Sequence, residues 1–322
     1  MWDYVGGQFF NADIVCANLE TPINITKDPR YAPEVMVSDI YFNADEEIFK
    51  LFCWSSDQKK YDVLSLANNH MLDQGISGLE HTKEFLSKQN ICTTWFVSEN
   101  GTQTTSLISS QWVKVGFASR TYSLNKEKIP KYFAWKVNIL DLNDICCDYT
   151  KIYNEMIELK VQWADYIVLS LHMWHAYQWS PSWSTIENIK SIFDKCGPDM
   201  IVITHPHTLQ PMWSYNFTDP LSGKKKTWVV YYSLGNFIAD DIYVPTRLSW
   251  YVKLGISKDN KGKLGISHKL VLTYMYKTQN EQLVMLPIFD MNTIDDSITQ
   301  ERIESDEYPI VRDMCRLLCD YD

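Results

Sequence analysis

"DMIVITHPHTLQP", residues 199–211, is the stretch whose reading decides the fold. Met200, Ile201, Val202 and Ile203 form an apolar run of strand length, too short for a helix. The next residues are polar and hold two of the chain's seven histidines on either side of a proline, His205-Pro206-His207. A strand apolar on both faces belongs to a covered sheet. In such sheets ligands bind beyond the carboxyl ends of the strands.

Outward from this stretch the same arrangement recurs. An apolar run at 13–17 leads into Asn18-Leu19-Glu20, and another at 61–66 into Ala67-Asn68-Asn69-His70. A third, at 166–171, delivers His172 with His175 close behind. Helices are expected at 43–54, 76–88, 149–163 and 183–195, the last leaving through Gly197-Pro198. Further strands are expected at 91–96, 112–118, 133–140 and 227–233, with an antiparallel hairpin of 249–257 and 264–274 around Asn260-Lys261-Gly262. Residues 24–43 read as loop, and 299–318 as a terminal helix broken near Pro309. The repeated unit of strand, polar loop and helix is an α/β arrangement with covered sheets, and the late antiparallel strands add a mixed or second sheet.

The 322 residues are 45% apolar, with 19 Tyr, 12 Trp and 13 Phe, which fits a folded chain with a large core. The net charge is −10 and no basic stripe exists. Lys224-Lys225-Lys226 follows a turn at Ser222-Gly223 and reads as the solvated end of a hairpin, so no nucleic-acid partner is expected. Eight cysteines form no zinc-type pair and no disulfide framework, which leans toward a reducing compartment. There is no apolar run of membrane-spanning length and no signal-peptide pattern. As written the chain reads as soluble and cytoplasmic, or as an anchored or exported domain if an upstream segment is missing. Glycosylation triplets at Asn24, Asn100 and Asn216 matter only on a secretory path.

Four strand ends carrying Glu, Asn and His suggest a metal site. Imidazole and carboxylate suit Zn, Mn or Fe, and one carboxylate can bridge two ions. Two ions can activate a water and neutralise charge on a phosphoryl oxygen or a tetrahedral intermediate. Pro206 stiffens the link between the two imidazoles. Taken singly, each signal has an ordinary reading: a satisfied core histidine for His172, a strand-ending turn for Asn68 and Asn69, a surface carboxylate for Glu20. His81 and His268 read as structural or solvated.

Five stretches carry a family resemblance: "DIVCANLETPI" (13–23), "YDVLSLANNHMLDQGISGL" (61–79), "DYIVLSLH" (165–172), "DMIVITHPHTLQP" (199–211) and "VVYYSLGNFI" (229–238). Together they resemble the poly-gamma-glutamate synthesis or CapA-like capsule-biosynthesis family, within the calcineurin-like metallophosphatase fold group, over roughly residues 11–240. The resemblance implies a layered αββα sandwich of mixed sheets at 1–290 and a C-terminal helical extension at 291–322. It implies one or two divalent transition-metal ions (Mn, Zn or Fe) held by Glu20, Asn69, His172, His205 and His207. Glu20 would bridge the ions, Asn69, His172 and His205 would surround the second, and His207 would serve the first. His70, Asn69 and His172 would be catalytic, with His70 stabilising or protonating a leaving group. Asn18, Asn68, Asp73, His175, Gln210, Ser233 and Asn236 would line or brace the pocket, with Gly235 in its wall turn. The implied activity is attack of a metal-activated water on a phosphoester or amide. The implied partners are an anionic polymer or phosphoester substrate and polymer-synthesis proteins. A catalytically degenerate, polymer- or partner-binding relative is the alternative, and a metal-free structural protein a third reading.

Three departures stand out. Family members open with an apolar strand ending in Gly-Asp, whose aspartate ligates the first ion. This chain starts after that point and Asp3 follows no apolar strand, so the fold is expected to lack its first core strand. Ala176 stands where the family has a glutamate, with His175 a candidate substitute. Ile203 stands where the family has a glycine, and a β-branched residue cannot adopt a positive φ that glycine would supply.

Overall fold

The apolar runs are short, and each can bury both faces only between other layers. The computed structural model describes residues 1–28, 41–53, 60–96, 104–125, 129–142, 147–173, 175–241, 243–278, 280, 282–288 and 307–319. Three sheets form. Strands β1 (Cys16–Asn18), β2 (Val63–Ser65) and β3 (Cys92–Thr94) pair in parallel, in that order. A six-stranded sheet runs β4-β5-β6-β7-β9-β8, from β4 (Ser106–Ser110), β5 (Val113–Thr121), β6 (Tyr166–His172), β7 (Met200–Thr204), β8 (Leu209–Thr218) and β9 (Lys225–Leu234). Its four inner strands are parallel and both edges antiparallel. The third sheet is an antiparallel meander of β10 (Leu248–Lys258), β11 (Leu264–Lys277) and β12 (Leu283–Ile288). The helices are α1 (Gly6–Phe9), α2 (Glu46–Leu51), α3 (Gly75–Lys88), α4 (Thr150–Val161), α5 (Trp183–Cys196) and α6 (Tyr308–Cys319).

The alternation of side chains along β6 shows how the layers meet. Ile167, Leu169 and Leu171 pack with Ile152, Met156 and Leu159 of α4 and Ile189, Ile192 and Phe193 of α5. Tyr166 and Val168 face the other way, in a cluster with Val63 of β2 and the half-buried Val252, Leu254 and Ile256 of β10. A separate cluster joins α1, α2 and α3, through Val5, Phe49, Leu79 and Leu86, to Leu64 and Leu66. The result is a mixed α/β sandwich whose parallel strands are covered on both faces. Helix α5 shows how sequence sets an element's limits: Ser182 caps it by accepting from the Thr185 amide, and Gly197 ends it at φ 74°. A Cβ at Gly197 would lie 2.7 Å from the Asp219 carboxylate, so glycine is required. Strand β1 ends its sheet, and among the described residues no strand pairs with its outer edge.

Several sequence expectations need correction. Residues 133–140 are not a strand but a 3-10 turn at Ala134–Lys136 with isolated bridges at Val137 and Ile139. Buried Phe133 and the Trp95 indole, which donates to the Asn138 carbonyl at 2.9 Å, anchor that segment without a ladder. Strands β4 and β8 lack the apolar runs used to find the others: β4 reads SLISS, and β8 is half exposed at an edge; β12 reads LVMLPI, an apolar run that the sequence reading passed over. Pro309 lies in the first turn of α6, where its missing N–H costs nothing, rather than at a break. The earlier part of that expected helix, up to residue 306, lies outside the described residues. Lys226 is not a solvated hairpin end: its ammonium lies 2.8 Å from both Asp199 and Asp219. Asn24 is 1% exposed, which closes that glycosylation triplet, and Asn100 lies outside the described residues.

Arg120, on β5, is buried against Glu155 of α4, with Nη2 2.7 Å from Oε2. Thr104 and Asn138 also donate to Glu155. Removing one member strands the other charge. Glu155→Ala should therefore cost about 3–5 kcal/mol in urea unfolding, and Arg120→Met combined with Glu155→Leu should cost clearly less. Equal losses in the single and double variants would contradict this account of the pair.

Candidate metal centre

Glu20 lies just past the end of β1, and three contacts fix that exit. The Leu19 amide donates to the Ser65 carbonyl at 3.0 Å. Asn68 Nδ2 donates to the Leu19 carbonyl at 2.7 Å. Asn18 Nδ2 donates to Glu20 Oε2 at 3.1 Å. The Glu20 side chain is 23% exposed, yet its Oε1 is enclosed and has no hydrogen-bond partner. That oxygen lies 3.5 Å from His172 Nε2 and 4.0 Å from His207 Nε2.

The ends of β6 and β7 supply the imidazoles. His172 is fully buried; its Nε2 meets Asn69 Oδ1 at 2.6 Å and its Nδ1 meets Thr204 Oγ1 at 2.9 Å. The Thr204 hydroxyl can donate or accept, so either tautomer of His172 is satisfied on that side. His205 Nε2 is hydrogen-bonded to the Tyr122 hydroxyl at 3.2 Å, while its Nδ1 is buried without a partner. His207 Nδ1 lies 2.9 Å from Asn236 Oδ1, which orients the ring and leaves Nε2 toward Glu20. One ligand atom each from Glu20, His205 and His207 lies within 4.8 Å of the others.

The backbone around these histidines is unusual. His205 and His207 have φ of 97° and 61°, the left-handed region that costs a non-glycine residue about 1–2 kcal/mol. Ile203 is fully buried inside β7 with no positive φ, so its β-branched side chain meets no conflict. The positive φ that sequence reading placed on the glycine position falls on the histidines instead. Gly235 forms the wall turn at φ 71°, and a Cβ there would come within 2.5 Å of the Leu248 carbonyl.

A second arm carries His70. Its Nδ1 lies 2.7 Å from Asp73 Oδ2, which also accepts from the Phe42 amide at 2.8 Å. The Phe42 ring packs 4.3 Å from the imidazole. Asn125, which the sequence reading missed, joins the two arms: its Oδ1 accepts from Asn69 Nδ2 at 2.8 Å and its Nδ2 lies 3.3 Å from His70 Nδ1. That bond turns Asn69 Oδ1 toward the histidines. The available signal was the end of a fifth strand: β5 runs on to Thr121, past the expected stop at 118, and brings Tyr122 and Asn125 to the site. Asp73 and Gln74 also line a cavity of about 450 Å³ with Lys27, Asp28 and Tyr41.

The remaining expected residues play varied parts. Asn18 braces Glu20, Asn68 the Leu19 carbonyl beside it, and Asn236 the His207 ring. Gln210 instead holds the loop after β6, donating to the Gln178 carbonyl at 2.7 Å. Ser233 accepts from the Gly235 amide and shapes the turn. His175 is exposed, and its charge acts on His205. His81 and His268 are structural, bonded to Asn24 and to the Tyr231 hydroxyl. Trp174 lies outside the described residues.

Electrostatics favour a cation. Burial, then the neighbouring His205, His207 and His70, pushes His172 well below the usual imidazole range. Burial, then His207, His70 and His175, brings His205 down to about 3. Both rings are therefore neutral, as ligation requires. Burial raises the Glu20 carboxyl against the opposing pull of His207 and His70. An enclosed carboxylate oxygen and an enclosed ring nitrogen, both unpartnered, are the sites a divalent ion would satisfy. The donors are oxygen and imidazole nitrogen, a set that fits Zn, Mn or Fe.

The depressed histidines give the metal-free protein a pH dependence. Between the folded value of about 3 for His205 and the unfolded value of about 6.5, the unfolded chain binds more protons, so stability falls as pH falls through that window. The raised Glu20 works in the opposite direction just above the ordinary carboxylate range, which blunts the slope. Urea midpoints should drop from pH 7 toward pH 4 in wild type and drop less in His205→Asn. A wild-type midpoint that rises on acidification would contradict the assignment.

The family described as "Bacterial capsule synthesis protein PGA_cap" matches residues 1–241. The PGA biosynthesis protein CapA of Bacillus subtilis (strain 168) is 28% identical over 267 residues, 83% of this chain and 64% of that protein. The capsule biosynthesis protein CapA of Bacillus anthracis is 26% identical over 265 residues, 78% of this chain and 56% of that protein. The chain thus spans less than two-thirds of the length of either relative. Among solved structures, the calcineurin-like phosphoesterase YfkN of Bacillus subtilis aligns with a TM-score of 0.40 at 16% identity, covering 66% of this chain and 63% of that one. With three-quarters of its length matched, including every strand that supplies a candidate ligand, the chain belongs to the PGA_cap family of bacterial capsule synthesis proteins.

Proposed function

We propose that this chain is a metal-dependent hydrolase of poly-gamma-glutamate or related capsule-polymer metabolism, cleaving a phosphoester or an amide. The observation that carries this reading is the enclosed, unpartnered Glu20 Oε1 facing His172, His205 and His207, beside a His70–Asp73 pair. One or two divalent ions held by Glu20, Asn69, His172, His205 and His207 would supply Lewis acidity and lower the pKa of a bound water. His207 is oriented for this by Asn236, and Asn69 by Asn125. His70 is held by Asp73 and Phe42 with Nδ1 committed, which leaves Nε2 to carry a proton to the leaving atom. The substrate is an anionic polymer or phosphoester, with polymer-synthesis proteins as partners, by analogy with the relatives' names. We read the layers as αββα, with 1–290 carrying the centre and 291–322 an extension. No described helix is long and apolar enough to cross a membrane.

A second reading is favoured by the exposed Trp179 and Trp183 after β6 and by Ala176: a relative that binds polymer without turnover. Metal-replete protein should hydrolyse a chromogenic phosphodiester or a γ-glutamyl anilide, stop on chelation and recover on metal addition. His70→Ala should lower kcat by about 10²–10⁴ with metal content unchanged. Turnover indifferent to chelation or to His70→Ala contradicts the hydrolase. Polymer binding that survives chelation, with no turnover of either substrate, supports the second reading.

A further inference from the structure

A neutral imidazole carries one proton, and only the nitrogen that lacks it can take a metal ion. For His205 the two nitrogens have different surroundings. Nδ1 is enclosed and has no hydrogen-bond partner among the described residues, whereas Nε2 lies 3.2 Å from the Tyr122 hydroxyl. A proton on Nδ1 would be a buried donor with nothing to receive it. A proton on Nε2 has the phenol oxygen as its acceptor and leaves the Nδ1 lone pair for an ion.

The sheet itself sets the place of Tyr122. Thr121, the last residue of β5, is in register with His172 of β6, and His172 with Thr204 of β7. One residue on, the Tyr122 amide donates to the His172 carbonyl at 3.0 Å, which extends the pairing to Tyr122. Its side chain is half-buried and packs against the cluster that joins β6 to α4 and α5. The His205 ring lies 5.2 Å from the Tyr122 ring and 4.8 Å from the His172 ring. His207 shows the same division between its nitrogens: Nδ1 meets Asn236 Oδ1, and Nε2 is left toward Glu20. In His205 the nitrogens exchange parts, with Nε2 braced and Nδ1 left over.

We propose that Tyr122 is a positioning residue of the metal centre: its phenol oxygen accepts from His205 Nε2–H, fixes that tautomer and leaves Nδ1 to take the ion. This rests on the reading of the centre as a metal site. An outer partner of this kind holds the ring's orientation and raises the basicity of the ligating nitrogen.

The test is zinc titration against a competing chelator for wild type and Tyr122→Phe, with nitrogen NMR spectra of the imidazoles in both metal-free proteins. The His205 signals are those lost in His205→Asn. Tyr122→Phe keeps the ring against His205 and removes only the oxygen. The expected result is a wild-type His205 protonated on Nε2, a mixture of tautomers in Tyr122→Phe, and zinc binding weakened about 10–100-fold in that variant. A wild-type proton on Nδ1, or equal zinc affinity in the two proteins, overturns the role of Tyr122 and leaves the metal centre standing. Weaker zinc binding with the tautomer unchanged in the variant also overturns it, because lost packing alone gives that result. Should Tyr122→Phe fail to fold, the wild-type tautomer decides. A wild type that binds no zinc overturns the metal centre and this inference with it.

Discussion

Glu20 Oε1 is the constraint on which the site depends. A carboxylate oxygen enclosed beside three imidazoles, with no donor to satisfy it, is costly to bury. Its surroundings have the mirror problem: His205 has an enclosed nitrogen without a partner, and burial disfavours a second proton on His172. A divalent cation would resolve both at once, because it would replace the missing donors and needs neutral rings. The contacts that aim these groups make sense in that light. Asn18 holds the other Glu20 oxygen, Asn236 holds the far nitrogen of His207, and Thr204 that of His172.

The fold serves this convergence by ending several parallel strands on one side of the molecule. β1 and β2 come from the small sheet and β5, β6 and β7 from the large one, and the two sheets pack through Val63, Phe117 and Val168. Burial on both faces fixes the strands' heights relative to one another, so the residues just beyond them meet. Three of the seven described non-glycine residues with positive φ lie at the same place. Tyr177, His205 and His207 all have positive φ, and hydrogen bonds among their loops hold them there. Rigid strands deliver the candidate ligands, and strained turns aim them.

The parts legible in the sequence were those that burial writes as apolar runs. β2, β6, β7 and the β10–β11 hairpin are found within a few residues, and the polar groups after them are the candidate ligands. Edge strands β4 and β8 were missed because their residues are half exposed and carry no such run. The same limit hid Asn125 and Tyr122, which lie beyond a strand whose end was set three residues early. Ile203 shows the opposite case: family pattern pointed to a glycine there, but backbone geometry has the unusual φ two residues later.

The most direct measurement is the transition-metal content of the metal-replete protein by elemental analysis, with Glu20→Ala and His205→Ala measured beside it. The account predicts one or two tightly held Mn, Zn or Fe ions per chain in wild type and a marked loss in both variants. Wild-type protein that folds and retains none, or variants that retain as much as wild type, would contradict it.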